Sequence, residues 1–175
     1  MRTVWLRIWR LPTIGKCKRM EENQAQPIMF PVKMSELFPG AWVQVFNEYS
    51  GRFTPPAKIT ALFDDKTVYY SFGENSGDPF EDDIELIHAI PVSEEMLRGF
   101  GFDVSEPMED MIGSQVAHVY YKGKYVGVLF VSKHSPYMRV EFASEYEVCW
   151  TIHELLKTMD YYDIDISKIE WKGIE

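Results

Sequence analysis

The sequence predicts an α+β fold: a small N-terminal SH3-like or bent antiparallel sheet, then an antiparallel sheet packed by a C-terminal helix. Three observations carry this expectation. Short β-rich runs separated by Gly, Pro and Asp turns recur between residues 41 and 90. A second set recurs between residues 115 and 142. An apolar stripe at helical period follows, with a capping signal ahead of it.

Residues 1–33 read as a basic leader or linker. Arg7 and Arg10 interrupt the apolar positions Val4, Trp5, Leu6, Ile8 and Trp9, which argues against a signal peptide. On a helix Trp5, Ile8 and Trp9 would share one face, but Pro12 ends it too early for strong membrane binding. A later start at Met20 or Met34 is the plainer alternative. Residues 1–33 are therefore expected to be dispensable for folding.

Residues 34–92 form the expected N-terminal β subdomain. The Pro39-Gly40 turn leads into a strand over Ala41 to Phe46. Lys58 to Phe63 and Lys66 to Phe72 read as a hairpin about Asp64-Asp65. Gly73 to Asp83 reads as an acidic loop, and Ile84 to Ile90 as a strand closed by Pro91.

Residues 93–175 form the expected α+β subdomain. Ser93 can cap a short helix whose first turn holds Glu94 and Glu95, with Gly99 and Gly101 as its stop. Asp103 to Gly113 reads as a polar loop. Gln115 to Tyr121 and Lys124 to Val131 form a hairpin about Lys122-Gly123, where glycine supplies a positive φ. A third strand runs from Tyr137 to Phe142. Ser144 and Glu147 have capping-box spacing, so the last helix is expected from Glu145 to Asp160. Its stripe is Val148, Ile152, Leu155, Leu156 and Met159, expected to pack on the second sheet. A short strand is expected between Ile166 and Trp171.

Composition limits function. Hydrophobic residues make up 46% and aromatic residues 15% of the 175, which excludes a wholly disordered chain. No apolar run reaches the 18 residues of a membrane-spanning helix. Residues 1–33 hold seven basic and two acidic residues, a net of +5, while residues 34–175 hold 11 basic and 25 acidic, a net of −14. The acidic body disfavours direct nucleic-acid binding by residues 34–175 and favours a protein partner with a basic surface. Cys17 and Cys149 are the only cysteines, so no disulfide framework exists and the cytoplasm is the expected compartment.

Three segments carry a resemblance. They are Leu37-Phe38-Pro39-Gly40-Ala41-Trp42-Val43, the run Ile87 to Leu97 with Gly99-Phe100-Gly101-Phe102, and Thr151-Ile152-His153-Glu154-Leu155-Leu156. Over about residues 34–160 the chain resembles small uncharacterised proteins of Bacteroidales bacteria and their phages. Those proteins show a P-I-P-L-T-x-E-I-L segment and a late V-H-E-L-Q helix. Ala89 stands where they commonly have Pro, and Lys157 where they have polar or small residues. The resemblance implies a mobile-element setting and a two-part α+β layout. It implies no reaction and no cofactor.

His153-Glu154 lacks the second histidine of H-E-x-x-H, because position 157 is Lys. Cys149 one turn before His153 would suit a Cys–His pair, yet it borders the apolar stripe. His88, His118 and His134 show no metal-ligand spacing, and the acidic clusters lack a calcium-loop pattern. Neither cofactor nor metal is expected. What remains is surface. Glu81, Asp82 and Asp83 make an acidic patch, and Tyr70 and Tyr121 are read as the outward members of the pairs Tyr69-Tyr70 and Tyr120-Tyr121. The reading is a non-enzymatic, macromolecule-binding protein of phage or mobile-element origin, in its sharpest form an acidic anti-defence inhibitor or DNA mimic. The alternatives are a ligand-binding protein or enzyme with a pocket near His153 and Cys149, and a virion structural or assembly component.

Overall fold

The computed structural model describes residues 30–73, 77–110, 113–131, 138–142 and 147–173. In chain order they form β1 (Trp42–Asn47), β2 (Arg52–Phe53), β3 (Ala57–Phe63), β4 (Thr67–Ser71), β5 (Phe80–Asp83), β6 (Ile87–Ala89), α1 (Glu94–Gly99), β7 (Phe102–Val104), β8 (Met108–Glu109), β9 (Gln115–Tyr121), β10 (Lys124–Val131), β11 (Met138–Phe142), β12 (Val148–Cys149) and α2 (Ile152–Tyr161). Short 3-10 helices cover Met34–Glu36 and Ile84–Leu86. The fold is α+β, as the sequence predicts: two antiparallel sheets with a C-terminal helix.

The first sheet runs β2-β1-β3-β4-β5, with β6 on the other side of β1. β2 and β3 pair with successive parts of β1, Phe46 facing Phe53 and Val43 facing Ala57. Between them Thr54 donates its N–H to Val45 O, and its Oγ1 accepts from Val45 N. A bulge between Ile59 and Ala61 bends β3 further against β4. The result is a sheet curled into a half-barrel. Its interior is Val43, Val45, Ala57, Ile59, Val68, Tyr70 and Ile87, all buried.

Several boundaries differ from expectation. Pro31 bridges His88, Phe30 O accepts from Ala89 N, and Val32 is buried in this core. Residues 30–32 therefore pack on the first sheet, although expected in the leader; residues 1–29 lie outside the described ones. The end of the expected acidic loop is β5. Charged strands are poor β-formers in isolation, but an edge position next to Tyr69 and Tyr70 accepts them. Ile84–Leu86 turn once as a 3-10 helix before β6, so the expected strand is halved.

The second sheet runs β12-β11-β10-β9-β7, with β8 also on β9. The Lys122-Gly123 hairpin is as expected: both residues have positive φ, 49° and 76°, the backbone of a type I′ turn. β7 and β8 occupy the expected polar loop, because Phe102 and Val104 alternate inward beside β9. Ser93 caps α1 by accepting from Met96 N. In α2 the cap is Thr151, not Ser144, which lies outside the described residues. Glu154 Oε2 accepts from Thr151 N at 3.1 Å and from Trp150 N at 2.8 Å. Val148 sits in β12 and is exposed, so it leaves the stripe. Ile152, Leu155, Leu156 and Met159 keep it, buried against Val119, Leu129 and Val140. Residues 162–173 hold no strand. They strap the molecule through buried Ile169 and through Trp171, which sits where a Cβ on Gly99 would lie.

The two parts have separate cores joined at one seam. Trp42 points away from the half-barrel and is buried in the second core, its ring 5.2 Å from that of Phe100. Ile152 N donates to Ile90 O and Val92 N to Trp150 O across the junction. Lys58 and Glu170 close it with a 2.9 Å ion pair.

Candidate functional site

The acidic patch is built by pairing. Among the described residues β5 is the outermost strand of its sheet, held only by β4. Tyr69 lies opposite Glu81 and Val68 opposite Asp82. Alternation then sends Glu81 and Asp83 to the outer face, with Tyr69 and Thr67. Both acids are exposed. The Glu81 carboxylate opposite Tyr69 is the first cause of a raised Tyr69 pKa.

Asp82 faces the other way and is half-buried. Its Oδ2 accepts from the Tyr70 hydroxyl at 2.6 Å. Tyr70 is buried, and burial, followed by this bond to a carboxylate, holds its phenol strongly protonated. Expected to face outward, Tyr70 is thus the inward member of its pair. Tyr121 is inward too, buried against Phe102 with their rings 5.2 Å apart, while Lys122 Nζ lies 5.0 Å above its ring. The alternation was legible, but its phase was not. Where both faces carry aromatics, hydrophobicity does not fix which is inside.

The structure therefore joins Glu81, Asp82, Asp83 and Tyr70 and leaves Tyr121 on the other sheet. It adds residues that the sequence did not single out. Phe80 stacks on Tyr70 at 5.8 Å and is half-exposed, and Phe72 packs edge-on against both rings. Phe72 also lines a mostly apolar groove of about 460 Å³ with Trp42, Pro55, Pro56, Gly73 and Trp171. The available signal was Phe72 and Phe80 bracketing a Gly- and Pro-containing loop. Trp171, ninety-nine positions beyond Phe72, could be placed there only by the strap.

The other candidate chemistry is separated. Cys149 lies in β12 and His153 in α2, so no turn of helix brings them together. The Cys149 Sγ lies 3.6 Å from Thr158 Oγ1, and burial pushes the thiol up to about 11. His153 Nδ1 lies 3.2 Å from Thr151 Oγ1, and burial lowers its pKa. Glu154 is occupied as the helix cap. A wide cleft of about 790 Å³ runs past Glu94, Arg98, Asp103 and Lys172. Arg98 there is already held by Glu94 Oε1 and Val104 O. Among the described residues no group of three or more metal-ligating side chains occurs. No helix among them is long and apolar enough to cross a membrane.

A second patch covers the outer face of the second sheet. Tyr120, Tyr125 and His118 cluster there, and the Arg139 guanidinium lies 5.0 Å from the Phe130 ring and 5.8 Å from that of Trp150.

No protein-family model, curated protein or solved structure matches the chain.

Proposed function

We propose that this is a non-enzymatic binding protein of phage or mobile-element origin, acting in the cytoplasm, that docks on a basic surface of a partner protein. The observation that supports it is the outward pair Glu81 and Asp83 on the outermost strand among the described residues, with half-exposed Phe80 on the other face of that edge. Carboxylates on a rim steer a cationic partner, and an aromatic beside them supplies contact area. The net −14 of residues 34–175 adds long-range attraction and repels phosphate. In its anti-defence form the patch occupies a nucleic-acid cleft of a host protein as a DNA mimic.

The test is affinity capture from host lysate, followed by binding of the captured partner across a salt series. Binding should fall steeply as the Debye length shrinks from about 10 Å at 0.1 M salt to about 3 Å at 1 M. The pair Glu81→Gln and Asp83→Asn should slow association more than it speeds dissociation. Asp82 is left intact because Tyr70 depends on it. A salt-independent complex, or tight binding of duplex DNA by residues 30–175, would refute the reading.

A further inference from the structure

β5 offers more than charge. Ile84 N donates to Lys66 O, immediately beyond the β4–β5 register. In an antiparallel pair hydrogen-bonding positions alternate. Asp82 and Phe80, two and four residues back, therefore turn their backbone groups toward β4. Glu81 and Asp83 turn theirs outward, to the edge where no strand follows among the described residues. Tyr69 lies opposite Glu81 in the register, so by this parity the two form a non-hydrogen-bonded pair, where side chains approach most closely.

The two faces of this edge differ in chemistry. Glu81 and Asp83 stand on one, and Phe80, continuous with Phe72, on the other. A strand laid along the edge places alternate side chains on opposite faces. We infer that the outer edge of β5 takes an extended segment of the partner protein as an added strand, with basic side chains over Glu81 and Asp83 and apolar ones over Phe80 and Phe72. The inference rests on the basic-partner reading and specifies its mode. Backbone pairing would supply affinity, and the alternating faces would select a segment in which lysine or arginine alternates with large apolar residues. Natural sheets protect exposed edges with charge, and here the charge is of one sign, which excludes like edges while admitting an opposite one.

The probe is a nine-residue peptide alternating lysine with valine, beside the same peptide N-methylated at alternate amides so that it cannot pair as a strand. Amide hydrogen exchange and titration are followed on the full chain. The unmodified peptide should slow exchange at Glu81 and Asp83 by about tenfold or more, and the N-methylated one should bind at least ~10-fold more weakly. Equal, salt-sensitive binding of both peptides would overturn strand addition while leaving the acidic-surface reading standing. Failure of both peptides, in a protein that still captures a basic partner, would overturn it too. Protection of these amides without peptide, lost on dilution, would make a second copy the occupant and overturn the basic-segment assignment.

Discussion

The first sheet curls around its own core, whereas the second carries a half-buried aromatic and polar face on one side and is covered on the other by elements distant in sequence. The two interiors also differ in the side chains that dominate them. Inside the half-barrel Ala41, Val43, Val45, Ala57, Ile59 and Val68 are small or β-branched, which suits a narrow, strongly bent interior. The second core takes Phe100, Phe102, Leu129, Leu155, Leu156 and Met159, and needs a helix and a strap to close it. Trp42 is the exception that joins them: a first-sheet residue buried in the second core. A self-sufficient sheet can leave an edge free for a partner; a sheet that borrows its cover cannot lose any lender.

The sharpest way to break this contrast is Trp42→Ala. It should cost about 3–5 kcal/mol, as for a buried aromatic. Denaturant unfolding should then separate into two transitions; a single unshifted transition would show that the parts do not depend on the shared ring. Leu155→Ala should cost about 2–5 kcal/mol, while Val148→Ala, on an exposed strand residue, should stay within about 0.5 kcal/mol. Equal costs would restore Val148 to the helix stripe. Truncation is the third probe. A chain starting at Phe30 should melt like the full chain. One starting at Met34 should lose roughly 1–3 kcal/mol with the Pro31 bridge and the Val32 side chain.

Acid acts on both parts. His88, buried between Phe46 and Phe53, and His153 have pKa values lowered first by desolvation. A depressed folded pKa means that the unfolded chain takes up the proton first. Stability should therefore be full above the ordinary value near 6.5 and decline as pH falls below it, down to the folded values. The loss cannot exceed about 1.4 kcal/mol per pH unit for each histidine. Chemical denaturation at pH 7.5 and 5.5 checks the sign. The smallest effect is expected from Glu81→Gln with Asp83→Asn, within about 0.5 kcal/mol in stability. A larger loss would mean that β5 is held by its acids rather than presenting them.

Much of this architecture was legible because local signals agreed with the global fold. Lys122-Gly123 between two alternating runs and Ser93 before two glutamates each specify their element without reference to the rest. The α2 start was misread although Thr151-Ile152-His153-Glu154 is itself a capping box. The apolar period extends back to Val148, so the strand residues Val148 and Cys149 looked like one more helical turn. β5 was hidden because its four residues include three acids, and only pairing with β4 makes them a strand. Of the candidate site, the acids were visible as composition. The groove was not, because Trp42, Phe72 and Trp171 meet only through tertiary packing.

The Lys58–Glu170 pair also sets an order of events in the cell. Its partners are 112 residues apart, and Trp171, beside Glu170, helps line the groove next to Trp42. At synthesis rates of 5–20 residues per second, the half-barrel, complete once Ala89 is made, waits roughly 4–16 s for Glu170. For that interval the outward face of Trp42 has no strap, and a fully curled first sheet still presents an adhesive tryptophan to its neighbours on the ribosome. Crowded, rapid expression should therefore aggregate this chain through its finished half, and slower translation late in the message should raise the yield of soluble protein.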